Sequence, residues 1–135
     1  MPDPPSQLLE KAVSGGEGAR RLGQWGEEQV ANQLLRQGWR IVGRNFRCRL
    51  GELDIIAENG IYLVFVEVKL RKDGRYGAAC EAVTPSKQRK LRLTAEFYLM
   101  KHPTGLQPRF DVAEVYAPQG IHTEHPSINY IENAF

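Results

Sequence analysis

Residues 51 to 70 read GELDIIAENGIYLVFVEVKL and contain the clearest secondary-structure signal in the chain. Apolar residues lead up to the Asn59-Gly60 dipeptide and resume after it, and Asn-Gly between two apolar segments is the strongest short hairpin signal in a sequence. We therefore predict two antiparallel strands, one over Glu52 to Glu58 and the other over Ile61 to Leu70. The second strand contains the run Leu63 to Val66, which is typical of a strand that is buried on both faces.

The register of this hairpin brings charged side chains together. With Asn59 and Gly60 as the two loop residues, we expect Asp54 to lie opposite Phe65 and diagonal to Glu67, at ~7 to 8 Å between backbones. Side chains alternate between the two faces of a strand, so four charged groups share one face: Glu52, Asp54, Glu67 and Lys69.

The acidic members of this group predict a metal site. Asp54 and Glu67 would repel each other at the edge of a core unless a cation lies between them. Mg²⁺ prefers oxygen ligands and is commonly held by one or two carboxylates together with substrate phosphates. Lys69 adds an ammonium that can hold an attacking water or stabilise charge on phosphorus, so the group predicts phosphodiester hydrolysis. A surface Glu-Lys pair at a strand end is the alternative interpretation.

A helical pattern over Ala19 to Gln37 precedes the hairpin, and a further strand is expected over Trp39 to Arg47. Glu27 falls on the apolar stripe of this helix and therefore faces the rest of the fold. A carboxylate on that side requires a partner, which is either an Arg in a structural ion pair or a metal or substrate site.

A second helix is predicted from Thr84, as N-cap, with Pro85 as its first residue, to about Lys101. Gln88 lies one turn before the apolar residue Leu91 and should point inward. Strands are then expected at residues 109 to 116 and 127 to 132. The order α, β, β, β, α, β, β predicts an α/β fold in which helices flank a sheet.

A chain of 135 residues suits one compact domain and is too short for two ordinary ones. Pro and Gly residues interrupt any periodicity in residues 1 to 18, which we expect to be a flexible tail before a single domain over residues 19 to 135. The longest apolar run, Ile61 to Val66, is far shorter than the roughly 20 residues that cross a bilayer, so no membrane association is expected. No signal-peptide pattern is found, and this favours a cytoplasmic location.

Positive charge is concentrated in the middle of the chain. Residues 36 to 92 carry thirteen basic and six acidic side chains, although the whole chain has a net charge of only +2. Clustered cations suit a phosphate backbone, because each neutralised phosphate releases counterions; a solvated surface is the alternative. The nucleic-acid contacts that we predict are Arg44, Arg47, Arg49, Arg71, Lys72, Arg75, Lys87, Arg89 and Lys90.

The residues also resemble a known group of proteins. Asp54 followed by Glu67-Val68-Lys69 at the end of an apolar strand resembles the signature of the PD-(D/E)XK, or restriction-endonuclease-like, nuclease superfamily, with Leu53 where that signature has proline. More closely, the sequence is similar to the YraN-like bacterial proteins, thought to be related to archaeal Holliday-junction resolvases. The segments that carry this similarity are GQWGE (23–27), RNFR (44–47), GELDII (51–56), VFVEVK (64–69), KQ (87–88) and RFDV (109–112).

This resemblance implies a restriction-endonuclease-like αβββαβ core with a mixed sheet. It implies Asp54 and Glu67 as metal ligands, Lys69 as the catalytic lysine, and Glu27 as an additional acidic metal ligand from the first helix. Gln88 matches a helix position that approaches the site or the DNA. The expected cofactor is Mg²⁺ or Mn²⁺, the expected substrate is DNA, branched or junction DNA included, and a homodimer would suit symmetric cutting of a junction.

Two further classes of function fit the same residues. A noncatalytic nucleic-acid-binding module on a nuclease fold would bind in a salt-sensitive manner without cleavage, because fold alone does not guarantee chemistry. A protein-interaction adaptor would bind neither DNA nor RNA at low salt.

Overall fold

The computed structural model describes residues 16–72 and 83–135. In order along the chain, its elements are α1 (Glu17–Arg36), β1 (Arg40–Cys48), β2 (Gly51–Glu58), β3 (Tyr62–Arg71), α2 (Pro85–Lys101), β4 (Gln107–Tyr116), a 3₁₀ turn (Gly120–His122) and β5 (Ser127–Ile131). This order confirms the predicted α/β class.

The predicted boundaries differ from the observed ones by one or two residues. Helix α1 begins at Glu17, two residues earlier than expected, so Glu17 and Gly18 belong to the helix and not to the predicted tail. Residues 1–15 of that tail lie outside the described residues, as does Arg75 of the predicted nucleic-acid contacts. The N-cap of α2 is Thr84, as predicted, and its side chain accepts a hydrogen bond from the Lys87 backbone.

The five strands form one mixed sheet in the order β1-β2-β3-β4-β5. Strands β3 and β4 are parallel, since α2 connects them across the sheet, and the other neighbouring pairs are antiparallel. A mixed sheet with helices on both faces is consistent with a restriction-endonuclease-like core. No helix within residues 16–72 and 83–135 is long and apolar enough to span a membrane.

Each helix covers one face of the sheet. The core under α1 consists of Val30, Ala31, Leu34, Ile55, Ala57, Val64, Val66, Ala113 and Val115. The core under α2 consists of Leu53, Ile56, Leu63, Phe65, Val83, Leu91, Ala95, Tyr98 and Val112. Helix α1 lies close to β3 at Gly26, where an added Cβ would be 2.9 Å from a methyl carbon of Leu70. This approach brings the next residue, Glu27, near the sheet.

The β2-β3 hairpin has a different register from the predicted one. Its pairs include Ile55 with Val66, so Gly60 and Ile61 form the two-residue loop and not Asn59 and Gly60. The reason is the Asn59 side chain, whose Oδ1 accepts hydrogen bonds from the Ile61 and Tyr62 backbone N–H groups at 2.9 and 2.8 Å. Gly60 has a φ of +96°, a conformation that favours glycine.

The corrected register strengthens the predicted convergence of charges. A shift of two residues does not by itself change the face of a side chain, because side chains alternate with a period of two. Leu53 departs from this alternation, since it packs with Ile56 in the core under α2. Pairing ends at Ile55 and Val66, and Asp54 and Glu67 are the next residues of their strands beyond this last pair, where a diagonal arrangement was expected.

Candidate functional site

A cleft opens where the start of β2 and the second half of β3 meet the first turn of α2. Its volume is about 370 Å³. The described residues that line it are Gly51, Glu52, Asp54, Glu67, Thr84, Ser86, Lys87, Lys90 and Leu91. Asp54 and Glu67 thus face the same space. Lys69 and Glu27 lie beside the cleft and are not part of its lining.

The Asp54 carboxylate joins the two strands of the hairpin. Backbone pairing ends at Ile55 and Val66, and beyond it Oδ2 of Asp54 accepts a hydrogen bond from the Val68 N–H at 2.9 Å. Burial raises the pKa of Asp54 to about 7, and the negative charge of Glu67 adds to this rise. A raised pKa means that the negative charge of this carboxyl group is unfavourable in its surroundings, so a positive charge close to it would be stabilising.

Glu67 is the most buried acid of the cleft, with 7% of its surface exposed. Two ammonium groups approach its Oε2 atom, that of Lys87 at 2.7 Å and that of Lys69 at 3.5 Å. Burial lowers the pKa of Lys69, and the neighbouring Lys87 lowers it further. Burial acts in the same direction on Lys87, but its contact with Glu67 outweighs this and raises the Lys87 pKa.

Glu27 approaches the same region from α1. Burial raises its pKa, the Asn45 side chain and Arg44 act against this rise, and the charges of Glu52 and Glu67 add to it. Its Oε1 atom is buried and has no hydrogen-bond partner. A carboxylate oxygen in that situation is open to a cation or a ligand donor.

The predicted set of three metal ligands is not assembled. In the part of the chain that the structure describes, no three His, Cys, Asp or Glu side chains lie close enough together to hold one ion. The physical reason is that Glu67 is already paired with Lys87, while Glu27 reaches the region from the helix on the opposite face. Asp54 and Glu67 remain as the two carboxylates that share the cleft.

Gln88 does not face the cleft. Its side-chain amide donates to the Val83 carbonyl at 3.0 Å, across the start of α2, and Lys87 takes the position next to Glu67. Lys87 was predicted as a phosphate contact, and its pairing with Glu67 was missed. Helical spacing could have placed Lys87 on the inward face of α2, because it lies four residues before the buried Leu91 and residues four apart share a helix face.

The other predicted nucleic-acid contacts divide into paired and exposed cations. The ion pairs are Arg44 with Glu28 at 2.8 Å, Arg47 with Glu52 at 2.9 Å and Arg71 with Glu114 at 2.7 Å. Arg49, Lys72, Arg89 and Lys90 are exposed, and so are Arg44 and Arg47 although they are paired. Exposed cations near the cleft are suited to a phosphate backbone, whereas Arg71 is engaged by a carboxylate of the core.

The Arg71–Glu114 pair belongs to the interior of the sheet. Glu114 is fully buried, and the Tyr116 hydroxyl also donates to it at 2.7 Å. Burial works to raise the pKa of Glu114, but the hydrogen bonds from Arg71 and Tyr116 outweigh it, so the pKa lies below its usual value. We therefore assign Arg71 a structural role in place of the predicted DNA contact.

Comparison with known proteins gives the family. The model of the uncharacterised protein family UPF0102 matches residues 26–115. A UPF0102 protein of Caldicellulosiruptor saccharolyticus is 45% identical over 117 residues, which cover 86% of this chain and 98% of that protein. The chain belongs to the UPF0102 family.

Two further UPF0102 proteins are similar over most of the chain. The protein from Symbiobacterium thermophilum is 50% identical over 98 residues, covering 72% of this chain and 83% of its own. The protein from Acinetobacter baumannii is 41% identical over 127 residues, covering 87% and 96%. These matches confirm the resemblance to the YraN-like proteins. The UPF0102 match spans all the residues that the sequence assigned to the catalytic site, which are Glu27, Asp54, Glu67, Lys69 and Gln88.

The cleft of this UPF0102 protein fits a hard divalent cation. Mg²⁺ and Mn²⁺ favour carboxylate oxygens, and Mg²⁺ keeps several waters, so two carboxylates beside an open cleft are a sufficient protein contribution. The Asp54 and Glu67 charges repel each other, and the buried Oε1 of Glu27 lacks a partner nearby. A cation held by Asp54 and Glu67 would relieve the repulsion between their charges.

The raised pKa of Asp54 predicts a pH dependence of stability in the metal-free protein. The unfolded carboxyl has a pKa near 3.9, so between about pH 4 and pH 7 the folded protein binds the additional proton. The free energy of unfolding should therefore decrease as the pH rises through this window, by up to ~1.4 kcal/mol per pH unit. In Asp54→Asn, this decrease should be smaller by about 1 kcal/mol per pH unit.

Urea unfolding at several pH values between 5 and 8, with a chelator present, measures this difference. Glu17→Gln, in the exposed first turn of α1, is the control and should keep the wild-type pH dependence. An Asp54→Asn protein whose stability changes with pH as steeply as that of the wild type would contradict the prediction.

Proposed function

We propose that this UPF0102 protein is a metal-dependent endonuclease that hydrolyses phosphodiester bonds in DNA, with branched or junction DNA among its substrates. The observation that carries the proposal is the cleft in which Asp54 and Glu67 meet, with Lys69 beside them and the exposed Lys90 in its lining. A reaction on a phosphodiester needs these three elements, which are a cation site, a group that stabilises negative charge and a surface for the backbone.

Each residue has a defined task in this proposal. Asp54 and Glu67 hold the cation, and Lys69 directs its ammonium toward the scissile phosphate or the attacking water. A bound Mg²⁺ or Mn²⁺ supplies charge stabilisation at the phosphate and activation of water. Lys90, which lines the cleft, and Arg49, two residues before the cleft residue Gly51, would bind phosphates of the backbone.

The test is an assay of purified protein on four-way junction, flap and duplex DNA with Mg²⁺, Mn²⁺ or a chelator. We expect cleavage that requires the metal. An Asp54→Asn/Glu67→Gln double variant purified in parallel detects contaminating nucleases and should be inactive. Cleavage that survives in the double variant would exclude this cleft as the active site.

Sedimentation of the protein with junction DNA tests whether two copies bind one junction.

A noncatalytic DNA-binding module is the second candidate. The observation that favours it is the 2.7 Å ion pair between Lys87 and Glu67, because this pair neutralises the carboxylate without any metal. It predicts binding that weakens with salt and no cleavage of any DNA structure with either metal. The same assay, with a binding measurement added, separates the two candidates.

A further inference from the structure

The side chain of Lys87 lies where a cation bound to Glu67 would be. Its ammonium is 2.7 Å from Oε2 of Glu67, at the distance of a charge-assisted hydrogen bond. The Glu67 side chain is 8% exposed, so this carboxylate is expensive to leave without a counter-ion. In the absence of a metal, Lys87 supplies that counter-ion.

The two lysines near Glu67 differ in their freedom to leave it. Lys69 belongs to β3, which is hydrogen-bonded within the sheet, and its side chain is 22% exposed. Lys87 lies in the first turn of α2, and its side chain is 42% exposed and lines the open cleft. A lysine ammonium lies at the end of a flexible four-carbon chain, so it can move several ångströms without any change in the backbone. Lys87 is therefore the exchangeable partner.

We propose that Lys87 is an exchangeable counter-ion that couples metal binding to DNA binding, an inference that rests on the proposed function. It pairs with Glu67 while no divalent cation is present, and it transfers to a DNA phosphate when a cation takes over Glu67. Lys87 thus pairs with one partner at a time, either the Glu67 carboxylate or a phosphate of the DNA.

This exchange has thermodynamic consequences of opposite sign. Because Lys87 competes with the cation for Glu67, removing it should strengthen metal binding in the absence of DNA. Because Lys87 binds a phosphate once Glu67 is occupied, removing it should weaken DNA binding, and more so with the cation than without it. By linkage, DNA should raise the metal affinity of the wild type, and this coupling should diminish without Lys87.

The first arm of the test is a calorimetric titration of the metal-free protein with Mn²⁺. We expect Lys87→Met to bind Mn²⁺ about three- to tenfold more tightly than the wild type, as the loss of one competing ion pair implies. Lys101→Met removes the same charge from the far end of α2, away from the cleft, and should change the Mn²⁺ affinity by less than about twofold. Lys87→Arg keeps a competing charge and should resemble the wild type.

The second arm measures the affinity for junction DNA with a chelator and with Ca²⁺. We expect Ca²⁺ to raise the affinity of the wild type more than that of Lys87→Met. Thermal unfolding of each variant confirms that it is folded, and Lys87→Arg supplies a charged variant at the same position.

The outcomes separate this inference from the proposed function. An Mn²⁺ affinity that is unchanged or weaker in Lys87→Met overturns the exchange, while metal-dependent cleavage by the wild type leaves the proposed function intact. A wild type that binds no Mn²⁺ overturns both. Tighter Mn²⁺ binding with no change in the DNA coupling overturns the role of the phosphate.

Discussion

Replacement of Lys69 by methionine is expected to lower the rate of DNA cleavage by about 10²- to 10³-fold at saturating metal and DNA, the usual effect of removing one preorganised charge donor. The Lys69 ammonium is held 3.5 Å from Glu67 by a half-buried side chain on a sheet strand. The Lys69 side chain is 22% exposed, so water solvates its charge incompletely, and this burial lowers the Lys69 pKa. A charge in this environment acts strongly on a phosphate that gains negative charge in the transition state.

The effect should appear in kcat and not in the affinity for DNA, because the interaction strengthens only in the transition state. Single-turnover cleavage, together with a binding titration, measures both quantities. Lys101→Met, the same substitution at the far end of α2, is the control and should cleave at the wild-type rate. If Lys69→Met cleaves DNA within a few-fold of the wild-type rate, another group stabilises the charge on the phosphate. Lys87, whose ammonium lies nearest to Glu67, would be the first candidate.

Local sequence signals predicted most of the fold. The Asn-Gly dipeptide, the Thr84-Pro85 helix start and the alternation along β2 and β3 act over a few residues, so their consequences can be derived without tertiary information. Alternation along the two strands predicted that Asp54 and Glu67 lie close together, and both line the cleft although the register differs by two residues.

The errors arose where a side chain decides the structure. The Asn59 side chain closes the hairpin loop and shifts the register, and propensities for the dipeptide do not contain this hydrogen bond. At the start of α2, Lys87 and Gln88 are both near the inward stripe, and the choice between them depends on the position of Glu67 in a distant strand. Spacing predicts a face, whereas a partner on another element requires coordinates.

The Asp111 ion pair is local, whereas the burial of Asp111 is not. Asp111 pairs with Arg109, two residues away on the same strand. Two side chains separated by two residues face the same side of a sheet, so the pairing is local. That Asp111 is fully buried is a property of the whole fold, because β5 and the residues after it cover it.

Replacement of Asp111 by alanine is expected to lower the free energy of unfolding by about 3 to 5 kcal/mol, the usual cost of breaking a buried ion pair. Its two oxygens accept four hydrogen bonds, from Nε and Nη2 of Arg109, the Tyr130 hydroxyl and the Asn133 backbone, at 2.6 to 2.9 Å. Without the carboxylate, Arg109 keeps its charge with 11% of its side chain exposed. The hydroxyl of the half-buried Tyr130 loses its acceptor as well.

Guanidinium chloride unfolding measures this loss, which is a large fraction of the ~5 to 15 kcal/mol that stabilises a typical domain. Glu17→Ala breaks the exposed pair with Arg20 and should cost less than ~0.5 kcal/mol. Combining Asp111→Ala with Arg109→Met removes the unpaired charge, so the double variant should be more stable than the sum of the single losses predicts. Strictly additive losses would show that Asp111 stabilises the fold through Tyr130 and Asn133 and not through Arg109.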